Sequence, residues 1–184
     1  MKKLLYLPVL IGSLLFLGCE KDDDPQDKPG NYQTPLPAAT TTGMGTFACY
    51  VDGKAYIAKK NDITAFYQFY QGKYGLSIRG RWGDAEYIRS ISVEGNNNMD
   101  LLIEGTTYPL GKRGIGIEYY SGGVFFVPAG NWYDTNDEQT GELKITKFDE
   151  INGILSGTFW FNVRHPDGQI VEIRDGRFDV KYAS

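Results

Sequence analysis

The chain has 184 residues, 41% of them hydrophobic, 14% aromatic and 23% charged. That composition excludes wholesale disorder and collagen-like repetition and suits one globular domain of ordinary size. Its 23 glycines predict frequent turns, and its net charge of −4 offers no basic surface for phosphate contacts, which sets nucleic acid aside as a partner.

Lys2 and Lys3 open the chain, and an apolar run follows from Leu4 to Leu17. The run is shorter than the ~20 residues of a membrane-spanning helix and fits a signal peptide over residues 1–18. It ends in Phe16-Leu17-Gly18-Cys19, which resembles the bacterial lipobox. The resemblance implies cleavage before Cys19 and its lipidation, so that the membrane becomes a partner through acyl chains on Cys19. Two or more such chains hold a protein stably on a bilayer. With 19 basic against 23 acidic residues, loss of Lys2 and Lys3 leaves a mature charge of −6.

Glu20-Lys21-Asp22-Asp23-Asp24 resembles the export signal of Bacteroidota lipoproteins. It implies the lipoprotein export machinery as a second partner and a place on the outer membrane, facing the cell exterior. The rival is an outer-membrane lipoprotein facing inward, and the same acids also keep a tether solvated. Residues 19–45 hold four of the eight prolines and no hydrophobic periodicity. They read as a flexible acidic and proline-rich tether ahead of a single β domain over 46–184.

Within the domain, short alternating runs separated by turn residues predict strands throughout. Phe47, Cys49 and Val51 alternate with polar or small neighbours, and Asp52-Gly53 makes a two-residue hairpin turn into Lys54–Ile57. Further strands are expected at 63–70, 74–81, 87–94, 101–104, 116–120, 123–127 and 142–148. In Ile154–Val163 the strict period of two places Leu155, Gly157, Phe159, Phe161 and Val163 in the core. A turn over Arg164–Gly168, a strand over Gln169–Arg174, a second turn at Asp175-Gly176 and a strand over Arg177–Tyr182 complete a three-strand meander. If that second turn is a two-residue hairpin, Ile173 faces Phe178. No window shows a sustained helical period. The expected fold is all-β, an antiparallel β-sandwich or open β-barrel with a C-terminal meander.

The stretches Gly141-Glu142-Leu143-Lys144-Ile145-Thr146-Lys147-Phe148-Asp149, Ile154-Leu155-Ser156-Gly157-Thr158-Phe159-Trp160-Phe161 and Asp175-Gly176-Arg177-Phe178-Asp179-Val180 resemble the C-terminal signature of a family of Bacteroidota lipoproteins of unknown function. The Phe47…Val51-Asp52-Gly53-Lys54 hairpin and Tyr108-Pro109-Leu110 are similar to it too. The resemblance implies an exported antiparallel β domain on a lipid anchor and no particular activity.

Candidate chemistry is sparse. The lone His165, before Pro166 at a turn tip, reads as a solvated turn residue rather than a catalytic one, since a triad histidine needs shelter and an orienting partner. Cys49, between Phe47 and Val51, reads as a small core side chain. Asp134, Asn136 and Glu138 fill the first places of a calcium loop, but Gln139 stands where glycine is required and Ile145 where the last glutamate belongs. A polar hairpin loop is the simpler reading. Glu94, Glu104, Glu118, Asp149 and Glu150 leave a carboxylate-based hydrolase as a lesser alternative. The sequence supplies no catalytic constellation, metal site or cofactor.

What remains is aromatic. Phe66–Tyr70 puts rings on both faces of one strand, Trp160 lies opposite its strand's apolar face, and Trp82 and Trp132-Tyr133 flank turns. Trp82, Trp132, Tyr133 and Trp160 are therefore the candidate ligand-binding residues, for a glycan or a protein, with a second packing layer as the alternative. The expectation is a non-enzymatic surface binding protein. A structural or accessory envelope lipoprotein without a small ligand is the alternative.

Overall fold

The computed structural model describes residues 34–83, 87–114, 118–127 and 130–184, the side chains of 97 and 98 excepted. The signal peptide, the lipidation site Cys19, the tether up to residue 33 and the expected strand start at Gly116 lie outside the described residues. Among the described residues the strands are β1 (Thr46–Val51), β2 (Lys54–Ile57), β3 (Ile63–Tyr70), β4 (Lys73–Arg81), β5 (Ile88–Met99), β6 (Thr107–Leu110), β7 (Tyr120–Phe126), β8 (Asn131–Asp134), β9 (Gly141–Asp149), β10 (Ile154–Arg164) and β11 (Ile170–Lys181). They form one mostly antiparallel sheet in the order β2-β1-β11-β10-β9-β6-β7-β5-β4-β3, with β8 alongside β7.

The sheet is not closed into a barrel; it folds over into a sandwich-like pair of layers. The fold-over lies at β6, which is short, carries Pro109 and meets β7 through a single parallel pair, Leu110 with Tyr120. A strand with a missing donor and so little ladder on one side resists bending weakly. The inward rows of both halves then meet face to face. Phe47, Phe161, Ile173 and Phe178 of one half and Ile78, Ile91, Val93 and Phe126 of the other are all buried. Gly122 on β7 exists for this approach, because a Cβ there would overlap the Phe161 ring of β10.

The all-β sandwich architecture agrees with the period-two reading, including the buried set Leu155, Phe159, Phe161 and Val163. Asp52 and Gly53 both adopt positive φ, 47° and 81°, the mirror-image turn that a two-residue hairpin favours. Several local expectations are corrected. Asp175-Gly176 is no turn: β11 runs unbroken from Ile170 to Lys181, and the three-strand meander is β9-β10-β11. Ile173 pairs with Phe161 and Phe178 with Gly157, rather than with each other. Asp175, with φ 50°, opens a β-bulge shared by the ladders to β1 and β10. Pairing with strands on both sides keeps β11 continuous through the bulge, and Gly176 accepts the Phe159 ring where a Cβ would collide.

The expected strand at 101–104 is absent. Its backbone is satisfied by phenols instead, Leu102 N donating to Tyr67 Oη at 3.0 Å and Ile103 N to Tyr108 Oη at 2.8 Å. Strand β5 extends to Met99, beyond the expected end at 94, and β8 adds a strand beside β7 where none is expected.

Residues 34–45, expected as the end of the tether, lie against the domain. Asp179 on the outer side of β11 accepts hydrogen bonds from Thr40 Oγ1 (2.6 Å), the backbone N–H groups of Thr42 (3.1 Å), Gly43 (2.7 Å) and Met44 (3.1 Å), and Ser156 Oγ (2.7 Å). Tyr50 Oη donates to Thr34 O and Arg177 Nη1 to Pro37 O. This cover explains why Ala48, Tyr50, Ser156 and Asp179, all on outward positions, are buried.

Candidate functional site

The outer face of β6, β9, β10 and β11 carries a groove of about 460 Å³. Its architecture follows from strand register. Thr107, Lys144, Thr158 and Arg177 are direct cross-strand partners in one row, and Glu142 and Trp160 are partners in the next. Because successive side chains on a strand alternate faces, Thr158 and Trp160 of β10 share the outer face, two residues apart.

Trp160 is 37% exposed and is held from two sides. Its indole N–H donates to Glu142 Oε2 at 3.2 Å, and the Arg174 guanidinium lies 5.6 Å from its ring centre. Arg174 is itself fixed: it donates to the carbonyls of Ile173 (2.9 Å) and Phe161 (3.2 Å) and pairs with Glu172 at 2.8 Å. The bulge brings Arg174, Asp175 and Arg177 to the groove together. Arg177 Nε donates to Asp175 O, and Nη1 reaches Pro37 O, so the N-terminal segment abuts this wall. A rigid flat ring beside fixed charges and hydroxyls is suited to stacking a ligand and orienting its polar groups.

The other aromatic candidates do not join Trp160. Trp82 packs edge-on against Phe47 and Tyr56, as part of the core's rim. Tyr133 packs on Phe126 at 5.6 Å. Trp132 lies on the outer face of the other layer, against Phe125 and under the Arg79 guanidinium at 4.6 Å. There an ion network missed from sequence surrounds it: Glu94 binds Arg79 (3.1 Å) and Arg113, which also reaches Asp134 at 3.3 Å. Burial raises the Asp134 carboxyl above its ordinary range despite the neighbouring Arg113. Only the contiguity of β4, β5, β7 and β8, decided by the fold, brings these residues together. The β3 rings divide: Tyr67 is buried, whereas Phe66, Phe69 and Tyr70 are exposed.

His165 corrects the expectation of a solvated turn residue. Its ring is half-buried, 4.7 Å from Phe126 and 5.4 Å from Tyr87, and Nδ1 meets Asp167 Oδ1 at 2.8 Å. Cys49 is fully buried, and burial pushes its thiol far up. The acids of the calcium-like loop go separate ways: Asp134 to Arg113, Glu138 to Arg164, while Asn136 Oδ1 accepts the N–H groups of Glu138 and Gln139. The candidate hydrolytic carboxylates are engaged likewise, Glu94 by two arginines, Glu104 by Lys147 and Phe148 N, Glu118 by Tyr120 Oη, and Asp149 by Asn152.

Residues 88–180, half of the chain, match a family described as Domain of unknown function (DUF6252). The matched span runs from β5 through most of β11 and includes every groove residue named above. Comparison with the curated proteins and with the solved structures found no match.

Proposed function

The chain belongs to the family of unknown function DUF6252, and from that premise we propose that it is a lipid-anchored, non-enzymatic binding protein of the bacterial outer membrane. Acyl chains on Cys19 hold it, the lipoprotein export machinery delivers it to the outer face, and the β domain binds a glycan in the Trp160 groove. The lipobox-like Leu17-Gly18-Cys19, the acidic stretch after it and the Bacteroidota-type C-terminal signature support the placement.

The observation that carries the binding reading is the exposed Trp160 ring, fixed by Glu142 and Arg174 over a groove rimmed with hydroxyls and charges. Sugar rings stack on such a surface by their apolar faces while their hydroxyls pair with the rim. The test is glycan-array binding by the purified protein. Loss of signal in Trp160→Ala, with folding intact, is the expected result; an unchanged signal refutes the site. In cells, Cys19→Ala should release the protein from membranes, and protease added to intact cells should degrade the domain.

A second reading, an accessory subunit of an envelope assembly, has its own support in β3. Its segment Gln68–Tyr70 is an uncharged edge with Phe69 and Tyr70 more than 60% exposed, the type of edge that pairs with another chain. Cross-linking to envelope proteins that Phe69→Lys abolishes and Trp160→Ala leaves intact would favour it.

A further inference from the structure

Resting on the reading of the Trp160 groove as a ligand site, we infer that the ligand is an acidic saccharide, its carboxylate or sulfate held over Thr158 between Lys144 and Arg177 while a sugar ring stacks on Trp160. The row Lys144–Thr158–Arg177 spans three adjacent strands, β9, β10 and β11, as direct partners. Strand spacing puts the two cationic residues about 10 Å apart at the backbone, with the threonine midway. Two long cationic side chains that line one groove on either flank of a hydroxyl donor supply the groups to hold one oxyanion.

The charge balance of the groove supports this. Arg174 is paired with Glu172, the Glu142 carboxylate is oriented by the Trp160 indole N–H, and the lining sets Lys144, Arg174 and Arg177 against Glu142 and Asp175. Lys144 and Arg177, by contrast, have no carboxylate within ion-pair distance among the described residues. Arg177 spends Nε and Nη1 on carbonyls and leaves Nη2 for a ligand. In a groove lined by three basic and two acidic side chains, Lys144 and Arg177, one strand apart on either side of Thr158, repel each other unless an anion joins them. Arginine and lysine side by side supply a planar fork and a mobile point charge, which suits carboxylate and sulfate alike. Thr158 and Trp160 stand about 7 Å apart along β10, so ring and acid group are offered by the same sugar unit or by neighbouring ones.

The experiment is titration calorimetry of the purified full-length chain with two tetrasaccharides, an oligogalacturonate and its neutral galactose counterpart, at low and high salt. A sulfated chondroitin tetrasaccharide and a polyglutamate peptide complete the set. The expected result is acidic saccharide binding at least about tenfold tighter than neutral, a preference that shrinks in high salt and falls about tenfold in Lys144→Gln. Lys144 is exposed, so this variant should unfold at the wild-type temperature; Arg177→Lys should retain part of the preference. Equal binding of charged and neutral probes, insensitive to Lys144→Gln but lost in Trp160→Ala, overturns the acidic specificity and leaves the groove as a binding site. No saccharide binding at all removes both. Polyglutamate binding without saccharide binding overturns the saccharide assignment.

Discussion

Asp179 offers the sharpest test of how this domain is held together. The residue is 1% exposed, and burial alone would raise its pKa. Hydrogen bonds from Thr40 and Ser156 and from the N–H groups of Met44 and Gly43 outweigh that and hold it at about 2, against 3.8 for a free aspartate. A folded-state pKa below the unfolded one means that the charged form stabilises the fold. The contribution is complete above the free value and is lost as pH falls through about 2. At ~1.4 kcal/mol per pKa unit this amounts to about 2 kcal/mol at neutral pH.

Asp179→Asn tests it. An amide presents one acceptor oxygen and an NH₂ group to a site built wholly of donors, so a loss of about 2–4 kcal/mol is expected. The upper end is limited because residues 40–44 can detach into water. Urea unfolding of wild type and variant between pH 2 and pH 7 is the assay. The difference should be full near neutrality and shrink towards pH 2, and hydrogen exchange should show the Gly43 and Met44 amides unprotected in the variant. A difference below about 0.5 kcal/mol, or one that does not vary with pH, would refute the charged clamp.

Two further outcomes follow from packing. Gly122→Ala places a methyl group against the Phe161 ring and should cost about 2–3 kcal/mol in denaturant unfolding, partly recovered by adding Phe161→Leu; a neutral Gly122→Ala would mean that the layers do not meet there. In a Cys19→Ala background, Cys49 should resist a thiol reagent at mildly alkaline pH until the protein unfolds, because burial raises its pKa and blocks access. Immediate labelling of the native protein would contradict its placement.

Much of the strand pattern is legible in the sequence because it depends on neighbours two residues apart. The Phe47–Val51 row, the Asp52-Gly53 hairpin and the buried face of β10 all carry their own local signal in period and turn chemistry. The failures have local causes as well. Asp175-Gly176 looks like a turn by composition, yet pairing with strands on both sides keeps β11 running on and makes it a bulge. Leu101–Glu104 looks like a strand, yet tyrosine hydroxyls answer its backbone.

Sequence alone therefore determines the all-β class, most strand positions and the inward residues, since side-chain alternation is a property of the chain itself. Tertiary structure decides which strands become neighbours, and with them every cross-strand grouping. Trp160 joins Glu142, and Lys144 and Arg177 flank Thr158, through register between segments separated by loops. The clamp joins residues more than 130 positions apart. Such contacts leave no periodic trace, because the order of strands in a sheet is chosen by how two apolar faces bury each other and not by any one strand's pattern.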